Sequence, residues 1–439
     1  MMFSYYLKLS WLSIKRTPAL TSLMILAISL GIGVSMTVLT VNYMMDKDPI
    51  PEKSHQLYHV QLYTYGKGQS NSLTTDGFSY QVTYQDAMNI HRSDIPHRKT
   101  RSLATGFSVI PDSADQSPFL QSARAIDSDF FQMFNIPFIN GAVWDKNVDT
   151  LGKNVVVIGK DLNERLFKGE NSVGRQINLS SVVYTVVGII DHWQPAPRYY
   201  DLNNGSFNES EMIFVPFSLL PVHEIPSWGN NNGWRTEEIN NYQDKLDSEI
   251  MWNQYWVEIN DNSTKDRYID WINGYIAEQQ KIGRFQNEKA GVSLKNVIEW
   301  MKVNQVVSSD NSILVGLSFM FLAVCMINTI GLLLAKFLNR APEVGVRRAL
   351  GASRREIFFQ HLVDVSLIGT VGGILGLALG QLGLLGVKTL YSSYSQLVHM
   401  DMTLILTAIG IALGSSLLAG LYPAWLICRT NPSIYLKIQ

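Results

Sequence analysis

In this chain of 439 residues, the residue types best suited to binding another molecule lie in a short charged segment between two apolar stretches. The segment covers positions 342–356 and reads PEVGVRRALGASRRE. Pro342 fits the first turn of a helix, and Glu343 fits the positive end of the helix dipole. Arg347 and Arg348 fit the negative end of the same helix. The pattern therefore predicts a compact helix with an acidic start and a basic end.

The residues after this helix predict a stop and a second start. Gly351 suits the left-handed conformation that ends many helices, and Ser353 with Glu356 matches the capping box that begins another one. A charged helix of this kind at a membrane surface is suited to binding a soluble protein. Its arginines are equally suited to holding phospholipid headgroups, and the residues alone favour neither interpretation.

The printed sequence contains no recognisable catalytic or metal-binding motif. The phosphate-binding pattern GxxxxGK[ST] does not occur, and neither do HExxH, CxxC or GxSxG. His55 and His59 are four positions apart, but their segment alternates like a strand, which would separate the two side chains. Cys325 and Cys428 lie in or beside apolar stretches, so no disulfide framework is expected. We therefore expect no enzyme activity, no cofactor, no metal ion and no nucleic-acid partner for this chain.

The charged segment is flanked by apolar runs long enough to cross a membrane. A bilayer core requires about 20 residues of helix, and four runs approach or exceed that length. The predicted fold class is a membrane α-helical protein with four transmembrane helices and a large extracytoplasmic α/β (α+β) domain between the first and second spans. The predicted spans are residues 20–45, 311–335, 361–390 and 403–427. The predicted connecting parts are an N-terminal segment 1–19, the large domain 46–310, a coupling helix and loop 336–360, a loop 391–402 and a tail 428–439.

The distribution of charge predicts the orientation of these spans. Residues 46–310 carry 24 Lys and Arg against 33 Asp and Glu. Most of the remaining basic residues lie before the first span, between the second and third, or after the fourth. Because short cytoplasmic segments are enriched in Lys and Arg, both termini and the 336–360 loop are predicted to be cytoplasmic. The large domain is then predicted to lie outside.

The large domain shows alternating strand and helix patterns that predict a mixed α/β fold. Its halves are predicted at about 46–120 and 245–300, with a β-rich subdomain inserted at about 120–215. Residues 177–190 read as a hairpin whose turn is Ser180-Ser181. Residues 193–245 are rich in Pro, Asn, Gly and Glu, and this composition predicts a loop or a subdomain edge.

Small and polar residues inside the spans predict how the helices pack. Glycines at intervals of three or four allow helices to approach closely in lipid, either as a sliding bundle or as ordinary static packing. The third span carries Gly369, Gly372, Gly373, Gly376 and Gly380. Asn328 predicts an interhelical hydrogen bond, with a dimer seam as one option, and Pro423 predicts a kink. His361 and Asp364 are expected in interfacial roles near the inner end of the third span.

Taken together, these motifs resemble the permease family shared by MacB-like ABC transporters, lipoprotein-releasing permeases and FtsX proteins, the type VII or mechanotransmission family. The signature residues after the second span are Glu343, Gly345, Arg347, Arg348, Ala349, Leu350, Gly351 and Arg354. The glycine run of the third span and the segment AGLYPAW around Pro423 follow in the expected places. Residues 125–131 and 155–190 look like the periplasmic core domain of the macrolide-exporter branch.

The resemblance implies a permease subunit that relays ATP-driven motion from a separate cytoplasmic ABC ATPase dimer, which binds the ATP and Mg. Residues 342–350 would rest in a cleft of that ATPase. The outer domain would expel a drug, toxin or peptide from the periplasm through a membrane-fusion adaptor and a TolC-like outer-membrane channel. The resemblance also implies a second permease copy or paralogue, contact with membrane lipids and a place in the bacterial inner membrane.

Two other functions remain open within the same family. One is extraction of lipoproteins from the inner membrane. The other is FtsX-like transmembrane signalling that activates a periplasmic hydrolase, although an outer domain of this size is large for that role.

Overall fold

A computed structural model describes residues 2–69, 74–112, 116–307, 309–390 and 402–429 of the chain. These residues form two compact units. The membrane unit comprises Met1–Asp46 and Val307–Gln439, and the inserted domain comprises Lys47–Val306. The predicted loop 391–402 and tail 428–439 fall almost entirely outside the described residues.

Helices make up the membrane unit and the periphery of the inserted domain. In chain order they are α1 (Met2–Arg16), α2 (Pro18–Asp46), α3 (Tyr84–Ile90), α4 (Asp129–Met133), α5 (Val148–Leu151), α6 (Lys160–Phe167), α7 (Leu220–His223), α8 (Tyr242–Asp247), α9 (Asn262–Lys281), α10 (Val297–Val303), α11 (Ser309–Leu338), α12 (Ala341–Ala349), α13 (Arg354–Leu390) and α14 (Met402–Arg429). Two short 3-10 helices cover Tyr199–Asn204 and Phe217–Leu219.

Four helices of the membrane unit, α2, α11, α13 and α14, are long and apolar enough to span a bilayer. Their apolar residues pack into one core, which also takes in Ala341 and Val344 from the short helix α12. Helix α14 continues through Pro423 to Arg429. The predicted arrangement of four spans with a mixed α/β domain between the first and second is confirmed.

The inserted domain is built on one sheet. Its strands are β1 (Leu57–Leu62), β2 (Val82–Thr83), β3 (Arg98–Ile110), β4 (Phe119–Ile126), β5 (Phe138–Gly141), β6 (Val155–Gly159), β7 (Gln176–Leu179), β8 (Val182–Ile190), β9 (Ile213–Pro216), β10 (Met251–Glu258) and β11 (Val292–Asn296). The hydrogen-bonded order is β11-β1-β10-β3-β4-β9-β6-β8-β5, with β2 beside β10 and β7 beside β3 and β8. This path runs through both predicted halves and the predicted β-rich subdomain.

The hairpin predicted at residues 177–190 is confirmed. Strands β7 and β8 pair in antiparallel fashion from Gln176 opposite Thr185 to Leu179 opposite Val182. Ser180 and Ser181 have φ of +51° and +69°. Two successive left-handed residues match the twist of paired strands, so they make a two-residue turn without glycine.

Residues 193–245 were expected to form a loop or an edge, and that expectation was wrong for their middle part. Strand β9 lies between β4 and β6, parallel to the first and antiparallel to the second. All four of its residues are buried. The composition is misleading because short irregular segments on both sides of β9 contain the Pro, Asn and Gly residues.

Burial of both faces explains the continuous apolar runs among these strands. On β6, Val156 and Ile158 belong to one hydrophobic cluster, whereas Val157 belongs to another. Alternate residues of a strand point to opposite faces, so the sheet is covered on both sides here. A third cluster packs Tyr268 and Ile272 of α9 against the opposite end of the sheet.

Candidate functional site

Helix α12 has the polarity that its sequence predicts. Pro342 and Glu343 lie in its first turn, and Arg347 and Arg348 lie in its last turn. The helix stops before Gly351, whose φ of +103° falls in the left-handed region that favours glycine. These local predictions are confirmed.

The start of α13 carries the predicted capping box. The backbone N–H of Ser353 donates to Glu356 Oε2 at 2.8 Å, and the backbone N–H of Glu356 donates to Ser353 Oγ at 3.2 Å. The N–H of Ala352 donates to the carbonyl of Arg347 at 3.1 Å and closes the preceding turn. The connection between α12 and α13 is therefore short and internally hydrogen-bonded.

The two arginines of α12 have partners within the chain. Arg347 donates to Glu343 Oε1 at 2.7 Å and to Gln360 Oε1 of α13 at 3.1 Å. Arg348 donates to the carbonyl of Cys428 of α14 at 3.4 Å. Both guanidinium groups thus hold α12 against neighbouring helices while remaining partly exposed.

The predicted signature residues divide between a buried and an exposed face. Gly345 is buried with the bundle core. Leu350 is 83% exposed, the largest fraction among the large apolar side chains that the structure describes. This position at the end of α12 leaves Leu350 available to a partner outside the chain. The exposed predicted residues are Glu343, Ala349, Leu350, Gly351 and Arg354.

A buried ion pair lies directly beside α12. Lys336 Nζ of α11 is 3.2 Å from Asp364 Oδ2 of α13, and the lysine is fully buried. Ser13 Oγ of α1 donates to the same carboxylate oxygen at 2.9 Å. Arg340 donates to the carbonyl of Ser13 at 3.0 Å. We call these four residues, Ser13, Lys336, Arg340 and Asp364, the latch. The latch joins α1, α11 and α13.

The expected interfacial roles of His361 and Asp364 were therefore wrong. Both side chains are buried, and the ring of His361 packs 4.3 Å from that of Phe337. Asp364 is drawn inward because Lys336 on a neighbouring helix neutralises it. Sequence reasoning missed the latch because its members come from three separate segments. A lysine and an aspartate near the same ends of two apolar spans were the available signal.

The glycines of α13 face two different helices. An added Cβ would lie 2.8 Å from Ile28 at Gly372 and 2.8 Å from Ile32 at Gly376, both on α2. At Gly373 it would lie 2.6 Å from Ala412 on α14. Helix α13 therefore approaches α2 and α14 through separate glycine faces. Gly369 faces Ser416 of α14, and the carbonyl of Gly380 accepts from Thr37 of α2 at 3.2 Å.

Asn328 lies on the outer surface of the bundle. Its side chain is exposed, whereas its neighbour Thr329 is buried and donates to the carbonyl of Cys325 at 2.8 Å. A carboxamide exposed at mid-span has no water to bind in a bilayer. Its predicted role at a seam with a second copy remains a prediction.

The inserted domain contains a fully buried charge network that sequence reasoning missed. Arg124 contacts both Asp201 and Glu211, the latter at 2.6 Å, and Arg198 reaches Glu211 at 3.2 Å. Burial alone would raise the pKa of Glu211, but the two guanidinium groups lower it to about 2. Tyr200 also donates to Glu211 at 2.9 Å. All charges are paired, so the network is a structural element that ties residues 198–211 to the sheet.

Within the described ranges, no group of three or more His, Cys, Asp or Glu residues is placed to hold a metal ion. His59 is buried and stacks on Trp300 with ring centroids 3.9 Å apart. The candidate functional site is therefore the end of the membrane unit that carries α12.

Comparison with known proteins gives the class of this membrane protein. Residues 21–275 match the model of the MacB-like periplasmic core domain, and residues 315–432 match that of the FtsX-like permease C-terminal domain. The first match alone covers more than half of the chain. The chain belongs to the MacB-like and FtsX-like family of ABC transporter permeases.

Several curated relatives show the same similarity. A macrolide export ATP-binding/permease protein MacB of Wolinella succinogenes is 23% identical over 318 residues, which cover 72% of this chain and 44% of the relative. The pyoverdine export ATP-binding/permease protein PvdT of Pseudomonas fluorescens is 24% identical, with 70% and 41% covered. The matched part thus spans less than half of these relatives. An uncharacterized ABC transporter permease, YvrN of Bacillus subtilis, is 23% identical, with 68% of each chain covered.

A solved structure of the periplasmic region of MacB from Actinobacillus actinomycetemcomitans is also similar. It has a TM-score of 0.35 and 10% identity, and the match covers 59% of this chain and 96% of that one.

Proposed function

We propose that this chain is the permease subunit of an ABC-type efflux or secretion transporter whose ATP hydrolysis takes place in a separate cytoplasmic ATPase dimer. The observation that carries the proposal is the exposed end of α12. Leu350 projects there at 83% exposure, while Arg347 and Arg348 brace the helix against α13 and α14. A force applied to Leu350 therefore passes into two spans rather than into a flexible loop.

The packing of the spans supports transmission of that force. Helix α13 touches α2 and α14 through glycine faces, where the backbones lie too close for independent side-chain rearrangement. Helix α2 leads at Asp46 directly into the inserted domain, and the chain returns to the membrane unit at Val307. A displacement of α13 is thus passed to a helix that is covalently continuous with the inserted domain.

The polar content of the spans supports a cargo route that bypasses the membrane unit. Among the described residues, Lys336 and Asp364 are buried charges of the bundle, and they neutralise each other. The described parts of the four spans are mostly apolar, which disfavours a path for a polar drug or peptide through them. We therefore place cargo on the periplasmic side, where the inserted domain would expel it into an adaptor and a TolC-like outer-membrane channel. The cargo is a drug, toxin or peptide.

This proposal includes an orientation and a partner chain. The termini and α12 face the cytoplasm of a bacterium, because the basic residues outside the inserted domain cluster there. A second copy or a paralogue completes the permease, and the ATP and Mg are bound by the ATPase. The absence of a GxxxxGK[ST] motif in the printed sequence supports a separate ATPase subunit.

Replacing Leu350 with Glu tests the proposed function. Leu350 has little contact to lose within the chain, so Leu350→Glu leaves insertion and abundance unchanged. It lowers ATP-driven transport, and the amount of ATPase that purifies with the chain, by about tenfold or more, because it buries an unpaired charge in an apolar contact. The matched control is Ile282→Glu, at a 71% exposed residue of the inserted domain. Full transport by the Leu350→Glu chain would remove the proposed role of α12.

A further inference from the structure

We propose that the N-terminal helix α1 forms the second half of the ATPase-docking surface and that the latch fixes it beside α12. This inference rests on the proposed function, because the partner is the same ATPase. It adds α1, for which the sequence predicted only an N-terminal cytoplasmic segment.

A cavity between α1 and the α12–α13 turn is the first observation. It is an open groove with a volume of about 370 Å³, bordered by Tyr5 and Tyr6 of α1 and by Arg347, Leu350 and Gln360 of the α12–α13 region. The same cavity is therefore lined by the most exposed apolar residue of the predicted coupling helix and by a tyrosine that is 58% exposed. Any protein that covers Leu350 from this side also meets α1.

Three contacts hold α1 in that position. Ser13 Oγ donates to Asp364, and Arg340, one residue before α12, donates to the carbonyl of Ser13. Arg16 lies 3.8 Å from Glu343 in the first turn of α12. The end of α1 is thus attached both to the start of α12 and to α13.

The buried pair in the latch is better suited to positioning than to stability. Removing two charges from water is unfavourable, and apolar side chains of similar volume often stabilise a core at least as well. A paired Lys336 and Asp364 instead allow only those arrangements in which α11 and α13 keep their charges together. Ser13 extends this restriction to α1.

Charge and helical geometry indicate a protein rather than a lipid at the Tyr5 face. The charged residues that line the cavity are Arg347 and Glu356, which balance each other. An anionic lipid surface attracts an excess of basic side chains, so this balanced, largely aromatic and apolar lining favours a protein partner.

The side of α1 suited to lipid is a different one. Trp11 lies about 120° around an ideal helix from Tyr5 and carries Lys15 over its ring at 5.6 Å. An exposed tryptophan with an adjacent lysine is typical of a membrane interface.

Photocrosslinking in the intact chain, in native membranes, tests this inference. The probe residue p-benzoylphenylalanine replaces Leu350, Tyr5 or Trp11 in three separate variants, and the crosslinked ATPase is identified by its phosphate-binding motif. We expect positions 350 and 5 to crosslink to the same ATPase and position 11 to give no such product. A crosslink at 350 without one at 5 would overturn the role of α1 alone. No crosslink at 350 would overturn the proposed function itself.

The latch is tested by removing the hydroxyl of Ser13, through which α1 contacts Asp364. Ser13→Ala should weaken the position-5 crosslink while the position-350 crosslink persists, because α1 loses this hydrogen bond and α12 takes no part in it. The conservative variant Ser13→Thr keeps the hydroxyl and should retain the position-5 crosslink. Unchanged crosslinking at position 5 in Ser13→Ala, or an equal loss in Ser13→Thr in a chain that still crosslinks at 350, would overturn the positioning role.

Discussion

At the scale of single residues, His59 shows how burial changes a side chain's chemistry. It is fully buried on β1, with its ring stacked on Trp300 and edge-on to Trp256. Burial lowers the pKa of His59 to about 3 from its ordinary value of 6.5. The folded chain therefore keeps this imidazole neutral at pH values where the unfolded chain protonates it.

This shift predicts that His59 makes the inserted domain sensitive to acid. Above pH 6.5 both states are neutral at this residue. As the pH falls from 6.5 towards 3, only the unfolded state binds the proton, so folding loses about 1.4 kcal/mol per pH unit at most. In the variant His59→Phe, which keeps the stacked ring, that loss should be absent. The stability difference between the variant and the unmodified chain should therefore change in favour of the variant as the pH falls.

Unfolding of both full-length proteins in detergent, followed by tryptophan fluorescence between pH 7 and pH 4, measures this difference. Asp149, whose pKa burial raises to about 6, acts in the opposite direction in the same range but contributes equally to both proteins. A difference independent of pH would contradict the prediction.

Arg124 predicts a second effect at the residue scale. It is fully buried and neutralises Asp201 and Glu211. In Arg124→Met these carboxylates lose a buried partner, and we expect a loss of about 3–5 kcal/mol in the free energy of unfolding. The matched control is Arg175→Met, since Arg175 and Glu170 form an exposed pair 2.6 Å apart whose loss should cost about 1 kcal/mol or less. Equal losses of unfolding free energy in the two variants, measured by thermal or denaturant unfolding, would show that the buried network stabilises the fold no more than the exposed pair does.

At the scale of elements, the glycines of α13 decide how closely the spans pack. Gly372 faces Ile28 of α2, whereas an added Cβ at Gly410 of α14 meets nothing within 4 Å. The two glycines are similar in sequence context but differ in their surroundings. Close approach of α13 to α2 therefore depends on Gly372 and not on glycine content in general.

We predict that Gly372→Leu separates α13 from α2 and that Gly410→Leu does not. The first substitution places a side chain where the nearest atom is 2.8 Å from the Cβ position, a distance that requires a backbone shift. It should lower the melting temperature of the purified chain and its transport activity, while the second leaves both near those of the unmodified protein. Equal behaviour of the two variants would mean that the packing is loose enough to accept either.

At the scale of the whole molecule, Asn328 points to a second chain. It is exposed on α11 at mid-span, where lipid would leave its amide without a hydrogen bond. A second permease copy or paralogue can satisfy this group across a seam. The proposed ATPase dimer also requires two copies of α12.

Cysteine crosslinking tests this seam. In a chain with Cys325→Ser and Cys428→Ser, we expect Asn328→Cys to form an intermolecular disulfide in native membranes. The control Leu406→Cys, at a 62% exposed position of α14, should not. Products of equal abundance at both positions would indicate random collision, and no product at 328 would exclude it from the seam.

Local sequence signals were sufficient for the elements of the candidate site. The signals that shape this site act within a few residues of chain, so the sequence predicted them correctly. They are the acidic start, basic end and glycine stop of α12, and the capping box of α13. Length and apolarity likewise identified the four spans, because a bilayer requires both. The serine turn of the β7–β8 hairpin was also local.

The sequence by itself thus determined the number of spans, the class of the inserted domain and the helix presented beside the bundle. Only the tertiary structure decided that Ser13, Lys336 and Asp364 meet, that Arg124 is enclosed by Asp201 and Glu211, and that β9 enters the centre of the sheet. The physical reason is the separation along the chain of the residues that interact. Helical period, caps and turns depend on neighbours in the chain, whereas the pairing of buried charges depends on which distant segments the packed core brings within a few ångströms.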